Sequence, residues 1–170
     1  MEGMKEEVAQ KPVPEISFII PEYRADRNQL FQNLSLLNAQ ANFNFLKLEV
    51  LIVDDCSGSD HVIPIDFYKQ FSNLAITLVN LGTNGGPGIA RQAGIDCAKG
   101  RYVMFGDADD IIAGIDVMSQ LAITIESQPS DEMPFDILVT DWNEEVRTSA
   151  SVVGMPNGDA VLLPDKYAYS

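Results

Sequence analysis

The sequence predicts an α/β protein built on a mostly parallel sheet with helices on both faces. Three observations point there. Short runs of β-branched and aromatic residues alternate along the chain with segments of helical period, as where Ile16 to Ile20 is followed by Leu30, Phe31, Leu34, Leu37 and Ala41. Two of those runs stop at acidic residues, Val53 at Asp54-Asp55 and Phe105 at Gly106-Asp107-Ala108-Asp109-Asp110. Between them, Asn84-Gly85-Gly86-Pro87-Gly88 forms a turn that opens a helix.

Each element follows from local chemistry. Residues 1–14 are charged and punctuated by Pro12 and Pro14, which predicts a flexible acidic tail ahead of one domain over 15–170. Ile16-Ser17-Phe18-Ile19-Ile20 reads as a central strand that ends at Pro21, and the apolar stripe from Leu30 to Ala41 as an amphipathic helix. Leu48 to Val53 is the second strand, Pro64 to Phe71 a short helix and Leu74 to Val79 the third strand. Pro87 suits a first helical position, Asn84 or a glycine before it can cap, Ile89, Ala93 and Cys97 make one face, and Gly100 predicts a left-handed stop. Tyr102 to Phe105 is the fourth strand, and a helix near Ile115 to Ile125 follows. Beyond it, Phe135 to Val139 predicts a fifth strand ending at Thr140-Asp141-Trp142, and Val146 to Val153 with Ala160 to Leu163 predict a hairpin.

Bulk composition narrows the function. Lys and Arg total 11 against 25 Asp and Glu, a formal charge of −14, which argues against nucleic acid or an anionic membrane as main partner. A small phosphate ligand bridged by a metal remains compatible. No apolar run approaches a membrane span, and Glu2, Glu6 and Glu7 make an acidic start unlike a signal peptide, so the expectation is a cytoplasmic protein with no transmembrane segment. Cys56 and Cys97 are far apart with no metal-finger spacing and are expected as buried thiols in a reducing compartment.

In a parallel sheet, ligands bind beyond the carboxyl ends of the strands. There the sequence collects Pro21 and Tyr23, Asp54 and Asp55, the turn from Gly85 to Arg91, and Asp107 to Asp110. Two unit charges about 4 Å apart interact by roughly 4 kcal/mol at an effective dielectric near 20, so an unpartnered aspartate cluster should protonate or hold a cation. A hard divalent ion, Mg2+ or Mn2+, suits oxygen ligands and shares its remaining positions with substrate phosphates. The glycine turn can present backbone N–H groups to phosphate, and Arg91 can reach the same group with paired hydrogen bonds. For Asp54 and Asp55, capping a loop and reading the N–H of a base are both open; for Tyr23, packing and stacking on a base; for Asp141, a strand cap and a pocket position. His61, the one histidine, reads as a surface residue.

Taken together, Ile19-Ile20-Pro21-Glu22-Tyr23-Arg24, Val53-Asp54-Asp55-Cys56-Ser57, Asn84 through Gly88 with Ala90-Arg91-Gln92, and Phe105-Gly106-Asp107-Ala108-Asp109-Asp110 resemble the inverting family 2 glycosyltransferases of Rossmann-like GT-A fold. The likeness covers Ile16 to Ile112, and four motifs in order are far more specific than one. The resemblance implies a metal-dependent hexosyltransferase of polysaccharide biosynthesis, which moves a sugar from a nucleotide-sugar, a UDP-sugar, to an acceptor saccharide or other hydroxyl compound. It places Tyr23 beside the uracil ring, Asp55 on the uracil N–H and Arg91 near the diphosphate, with Pro21 also among the nucleotide-binding residues. In the D-x-D motif it gives Asp109 to the metal, Mn2+ or Mg2+, and Asp107 to the ribose or the ion, with Asp110 supporting. Glu22, Arg24 and Gln92 depart from the family's usual small residue and asparagines. The family continues into an acceptor-binding half that carries the general base, so the resemblance puts that base beyond Ser170 and makes this chain the donor-binding domain, truncated before the acceptor-binding half.

Other readings fit less well. A dinucleotide-binding oxidoreductase needs G-x-G-x-x-G after the first strand, whereas Gly86-Pro87-Gly88 follows the third and Arg91 takes the last glycine's place. A calcium loop from Asp107 would need Gly and Glu where Ile112 and Met118 stand. A magnesium-binding receiver-like signalling domain shares an acidic pair such as Asp54-Asp55 but carries it on its first strand. A catalytically incomplete nucleotide-sugar-binding domain would share every site residue and lack turnover.

Overall fold

The computed structural model describes residues 12–127. The expected fifth strand, the hairpin, Asp141 and Trp142 lie outside the described residues. Four strands form one sheet in the order β3-β2-β1-β4, and every pairing is parallel. They are β1 (Ile16–Glu22), β2 (Leu48–Asp54), β3 (Ile76–Asn80) and β4 (Tyr102–Phe105), with α1 (Arg27–Asn38), α2 (Ile65–Tyr68), α3 (Pro87–Cys97) and α4 (Val117–Glu126) between and after them.

β1 runs through Pro21 instead of stopping at it. The carbonyls of Glu15 and Ile19 accept from Tyr102 and Gly106 on the β4 side, while that of Glu22 accepts from Asp55 on the β2 side. That alternation turns Pro21's missing donor toward β4, whose pairing with β1 ends at Ile19. A proline costs nothing where no ladder bond is due.

Two apolar layers cover the two faces. On one, Phe18, Ile20, Val50 and Ile52 meet Leu30, Leu34 and Leu37 of α1 and Met118, Leu121 and Ile125 of α4. On the other, Ile19, Leu51 and Val53 meet Ala90 of α3. The helices therefore lie on both faces, as the pattern predicts. Asp26 starts α1 by accepting from the amides of Asn28 and Gln29 at 2.7 and 3.3 Å. Phe31 faces outward yet stays in contact with the rings of Phe67 and Phe71, and Ala41 lies past the helix end.

Three expectations need correction. The helix from Pro64 shrinks to one turn, Ile65–Tyr68. In α3 the buried residues are Ala90 and Gly94, whereas Ile89 and Cys97 are exposed and Cys56 is only half-buried. The helix sits so close to β1 that a Cβ on Gly94 would come within 2.4 Å of Ile19 Cγ2, so small residues, not large ones, make its contact face. Gly100 is no left-handed stop, because α3 ends by extending at Ala98 (φ −64, ψ 140). Gly100 is instead required by proximity: its amide donates to Ser17 Oγ, and a Cβ there would lie 2.6 Å from the Ser17 nitrogen. Ser17 in turn donates to the buried Glu49, which also accepts from the Lys99 amide.

Among the described residues no helix is long and apolar enough to cross a membrane.

Candidate functional site

The carboxyl ends of β1, β2 and β4 and the start of α3 enclose an open cleft of about 610 Å3. Pro21, Tyr23, Asp55, Arg91, Asp107 and Asp109 all line it, whereas Asp54 and Asp110 do not. Their chain separations are bridged by parallel topology, which delivers successive strand ends to the same edge.

The loop after β1 is held by the loop after β2. Arg24 adopts φ 51, a left-handed conformation uncommon for a non-glycine residue. Ser57 fixes it: the Arg24 amide donates to Ser57 Oγ at 2.8 Å, and Arg24 Nε donates to the Ser57 carbonyl at 3.4 Å. The guanidinium then stands 5.3 Å from the centre of the Tyr23 ring, a cation–π arrangement that orients the half-exposed tyrosine. Beneath them Glu22 is buried, and its Oε2 accepts from the Ala25 amide and from Ser57 Oγ. Burial pushes the Glu22 carboxyl above the ordinary glutamate range; the Ala25 N–H opposes this, and neighbouring Asp54 adds to it. Tyr68, buried in the apolar layer, has its hydroxyl raised by burial first and then by the charges of Glu22 and Asp54.

Asp54 and Asp55 are both committed to backbone. Asp54 Oδ1 accepts from the Ser57 amide, three residues on, at 2.8 Å and so closes the loop after β2. Asp55, 3% exposed, accepts from Gly85 N at 2.8 Å on one oxygen and from Gly86 N at 2.7 Å on the other. Asn84 Nδ2 donates to the Asp55 carbonyl. The two glycine amides expected to meet phosphate are thus already satisfied by a protein carboxylate. Gly86, at φ 83, is the N-cap of α3, and a side chain there would be strained. The amides of Gly88 and Ile89, next in the first turn of α3, remain at the helix start.

The aspartate loop also answers most of its own charge. Arg91 Nη2 donates to Asp107 Oδ1 at 2.5 Å. Asp110 Oδ2 accepts from the Asp107 amide at 2.8 Å, so Asp110 closes the turn; the N-cap of the following helix is Asp116. Asn33, fully buried on α1, donates from Nδ2 to the Asp107 carbonyl at 3.0 Å. Of these three aspartates, Asp109 is the exposed one and has no side-chain partner among the described residues. The expectation of three competing carboxylates is therefore replaced by one paired with arginine, one bound to backbone and one free.

That arrangement bears on a metal. Among the described residues no group of three His, Cys, Asp or Glu side chains converges on one point. Asp109 and the second oxygen of Asp107 still fit Mg2+ or Mn2+, because such ions commonly take one or two carboxylates and complete their shell with phosphate and water.

The description "Glycosyl transferase family 2" matches residues 17–129. The chain belongs to glycosyl transferase family 2. Over 118 residues this family 2 chain is 34% identical to the poly(ribitol-phosphate) beta-N-acetylglucosaminyltransferase TarS of Staphylococcus aureus, an alignment that covers 68% of this chain and 19% of TarS. It is 39% identical over 95 residues to the amylovoran biosynthesis glycosyltransferase AmsB of Erwinia amylovora, covering 55% of this chain and 30% of that protein. The chain thus spans less than a third of either relative. In three dimensions it is similar to S. aureus TarS 1-349 in complex with UDP-GlcNAc, with a TM-score of 0.57 and 30% identity over 66% of this chain and 31% of that one. The fold is the GT-A fold.

Several members of the site carry weak sequence signals. Glu22 sits in a strand where a charge would be read as a strand end, and Asn33 looks like one more polar position on a surface helix.

Proposed function

We propose that this family 2 chain binds a UDP-linked sugar in the cleft and serves inverting transfer of that sugar to a hydroxyl acceptor, a saccharide of polysaccharide assembly. The observation that carries the reading is the convergence of Pro21, Tyr23, Asp55, Arg91, Asp107 and Asp109 on one cleft. The likeness to a UDP-GlcNAc complex of TarS supports the choice of nucleotide.

In this reading the Tyr23 ring, braced by Arg24, offers its face to the base. Asp55 accepts the base N–H on a remaining lone pair, since each carboxylate oxygen has two and the glycine amides use one apiece. Arg91, with five donors in a rigid fork, holds the diphosphate while keeping one bond to Asp107. Asp109, with Asp107, holds Mg2+ or Mn2+, which when bound supplies Lewis-acid neutralisation of charge on the leaving diphosphate. An acceptor hydroxyl attacks the anomeric carbon from the opposite face as a general base takes its proton; we assign that base to no described residue. A receiver-like role is not favoured, because the Asp54-Asp55 pair closes β2 and not the first strand.

A thermal-shift panel of UDP, GDP, ADP and CDP with Mn2+ tests the reading. Ligand at 100 times its Kd adds about 2.7 kcal/mol, or roughly 5–11 °C in a chain of this size. A rise specific to UDP is expected, and no rise with any nucleotide would overturn the proposal.

A further inference from the structure

The aspartate loop is tied to the rest of the molecule by a residue that no motif marks. Asn33 projects from α1, one of four buried residues on a face otherwise made of Leu30, Leu34 and Leu37. Its exposure is 0%, and its Nδ2 donates at 3.0 Å to the carbonyl of Asp107, 74 residues away. Its other polar atom, Oδ1, is buried with no hydrogen-bond partner. An apolar residue of similar shape would leave no acceptor unpaired at this position, and burying an unsatisfied acceptor is unfavourable. The amide therefore does not serve packing. What it does provide is a fixed position for the peptide that carries Asp107 and, two residues on, Asp109.

We propose that Asn33 is a positioning residue for the metal-binding carboxylates. It acts through the Asp107 backbone and touches neither ion nor nucleotide. The loop has three further restraints: Arg91 on the Asp107 side chain, Asp110 Oδ2 on the Asp107 amide, and the Asp110 amide, which donates to the same Asp107 carbonyl at 3.1 Å. Arg91 reaches the loop from α3 and lines the cleft, whereas Asp110 belongs to the loop itself. Asn33 is the restraint anchored in the apolar layer, so it ties the loop's backbone to α1, whereas Arg91 of α3 holds a side chain and Asp110 holds the loop to itself. Partners that orient a metal ligand from outside the coordination shell commonly change metal affinity about 10- to 100-fold when removed. The inference rests on the UDP-and-metal reading above.

The test compares the 170-residue chain with Asn33→Leu and Asn33→Ala. UDP binding is measured by calorimetry with EDTA and across a Mn2+ series, and thermal unfolding is followed alongside. The expected result for Asn33→Leu is an unchanged or higher Tm, unchanged UDP affinity in EDTA, and a Mn2+ midpoint raised at least about tenfold. Asn33→Ala leaves a cavity and lowers Tm, but should show the same selective shift in Mn2+ midpoint. A Mn2+ midpoint equal to that of the unsubstituted chain in either folded variant would overturn the positioning role. So would an equal loss of UDP affinity with and without metal, the mark of a general structural effect. If the unsubstituted chain itself shows no Mn2+-dependent gain in UDP binding, the functional reading fails instead, and the Asn33 proposal falls with it.

Discussion

Arg91 Nη2 and Asp107 Oδ1 stand 2.5 Å apart, joining the helix that follows the glycine turn to the loop that follows β4. Their side chains are 35% and 50% exposed, which limits what the pair contributes to folding, since exposed ion pairs are worth about 0–1 kcal/mol. Its consequence is spatial: the guanidinium is delivered to the cleft beside the carboxylates, already oriented.

Arg91→Ala should therefore barely move Tm yet weaken UDP binding about 10- to 100-fold, the effect of losing hydrogen bonds to a charged group worth about 1.5–3 kcal/mol. Arg91→Lys keeps the charge but not the fork, and should fall between the two. Calorimetry with UDP, paired with thermal melting, checks both; a large loss of Tm with UDP affinity intact would contradict the assignment.

Asp55 holds two adjacent glycine amides, one on each oxygen. Asp55→Asn turns one acceptor into a donor facing an N–H, leaving both unsatisfied in a buried place. The cost is about 1–3 kcal/mol, measurable as a lower denaturant midpoint with unchanged m-value. Unaltered stability would show that the turn does not depend on this carboxylate.

Glu22 carries a pH dependence of definite sign. Its carboxyl is raised in the folded state, chiefly by burial, so the folded chain disfavours ionised Glu22. Protonated Glu22 favours the fold below the ordinary value of 4.5, and that stability is lost as pH rises through the folded-state value. Glu22→Gln mimics the neutral form and keeps an oxygen for the Ala25 amide and Ser57. It should melt higher than the unsubstituted chain near neutral pH, with the gap closing as pH falls toward 4.5. Melting curves across that range check it, and a gap that widens toward acid would reverse the sign.

Gly100 separates two explanations of one residue. A left-handed stop would tolerate Asn, whereas a close approach to the Ser17 backbone admits no side chain. Gly100→Asn and Gly100→Ala should both destabilise, by about 1–3 kcal/mol of overpacking, read from unfolding midpoints.

Much of the fold was legible because period decides it. Leu30, Leu34 and Leu37 recur at helical spacing, and Leu51-Ile52-Val53 closes on its aspartates. The meeting of Asp55, Asp107 and Asp109 in one cleft was legible too, since the strand ends that carry them share one edge of a parallel sheet. Burial within α3 was not, because Ala90 and Gly94 make its contact face by being small, which hydropathy does not register. Nor was the internal satisfaction of the charged groups. That Asp55 meets Gly85 and Gly86, or Asn33 meets Asp107, depends on loop conformation and contacts 30 to 74 residues apart.

The central claim is that Asp109 and a divalent ion together bind the diphosphate. Calorimetric titration of UDP into the chain and into Asp109→Asn, each with Mn2+ and with EDTA, tests it most directly. Tight binding is expected only for the unsubstituted chain with Mn2+, and weak binding in the other three conditions. Equal UDP affinity with and without metal, or in Asp109→Asn with Mn2+, would contradict it.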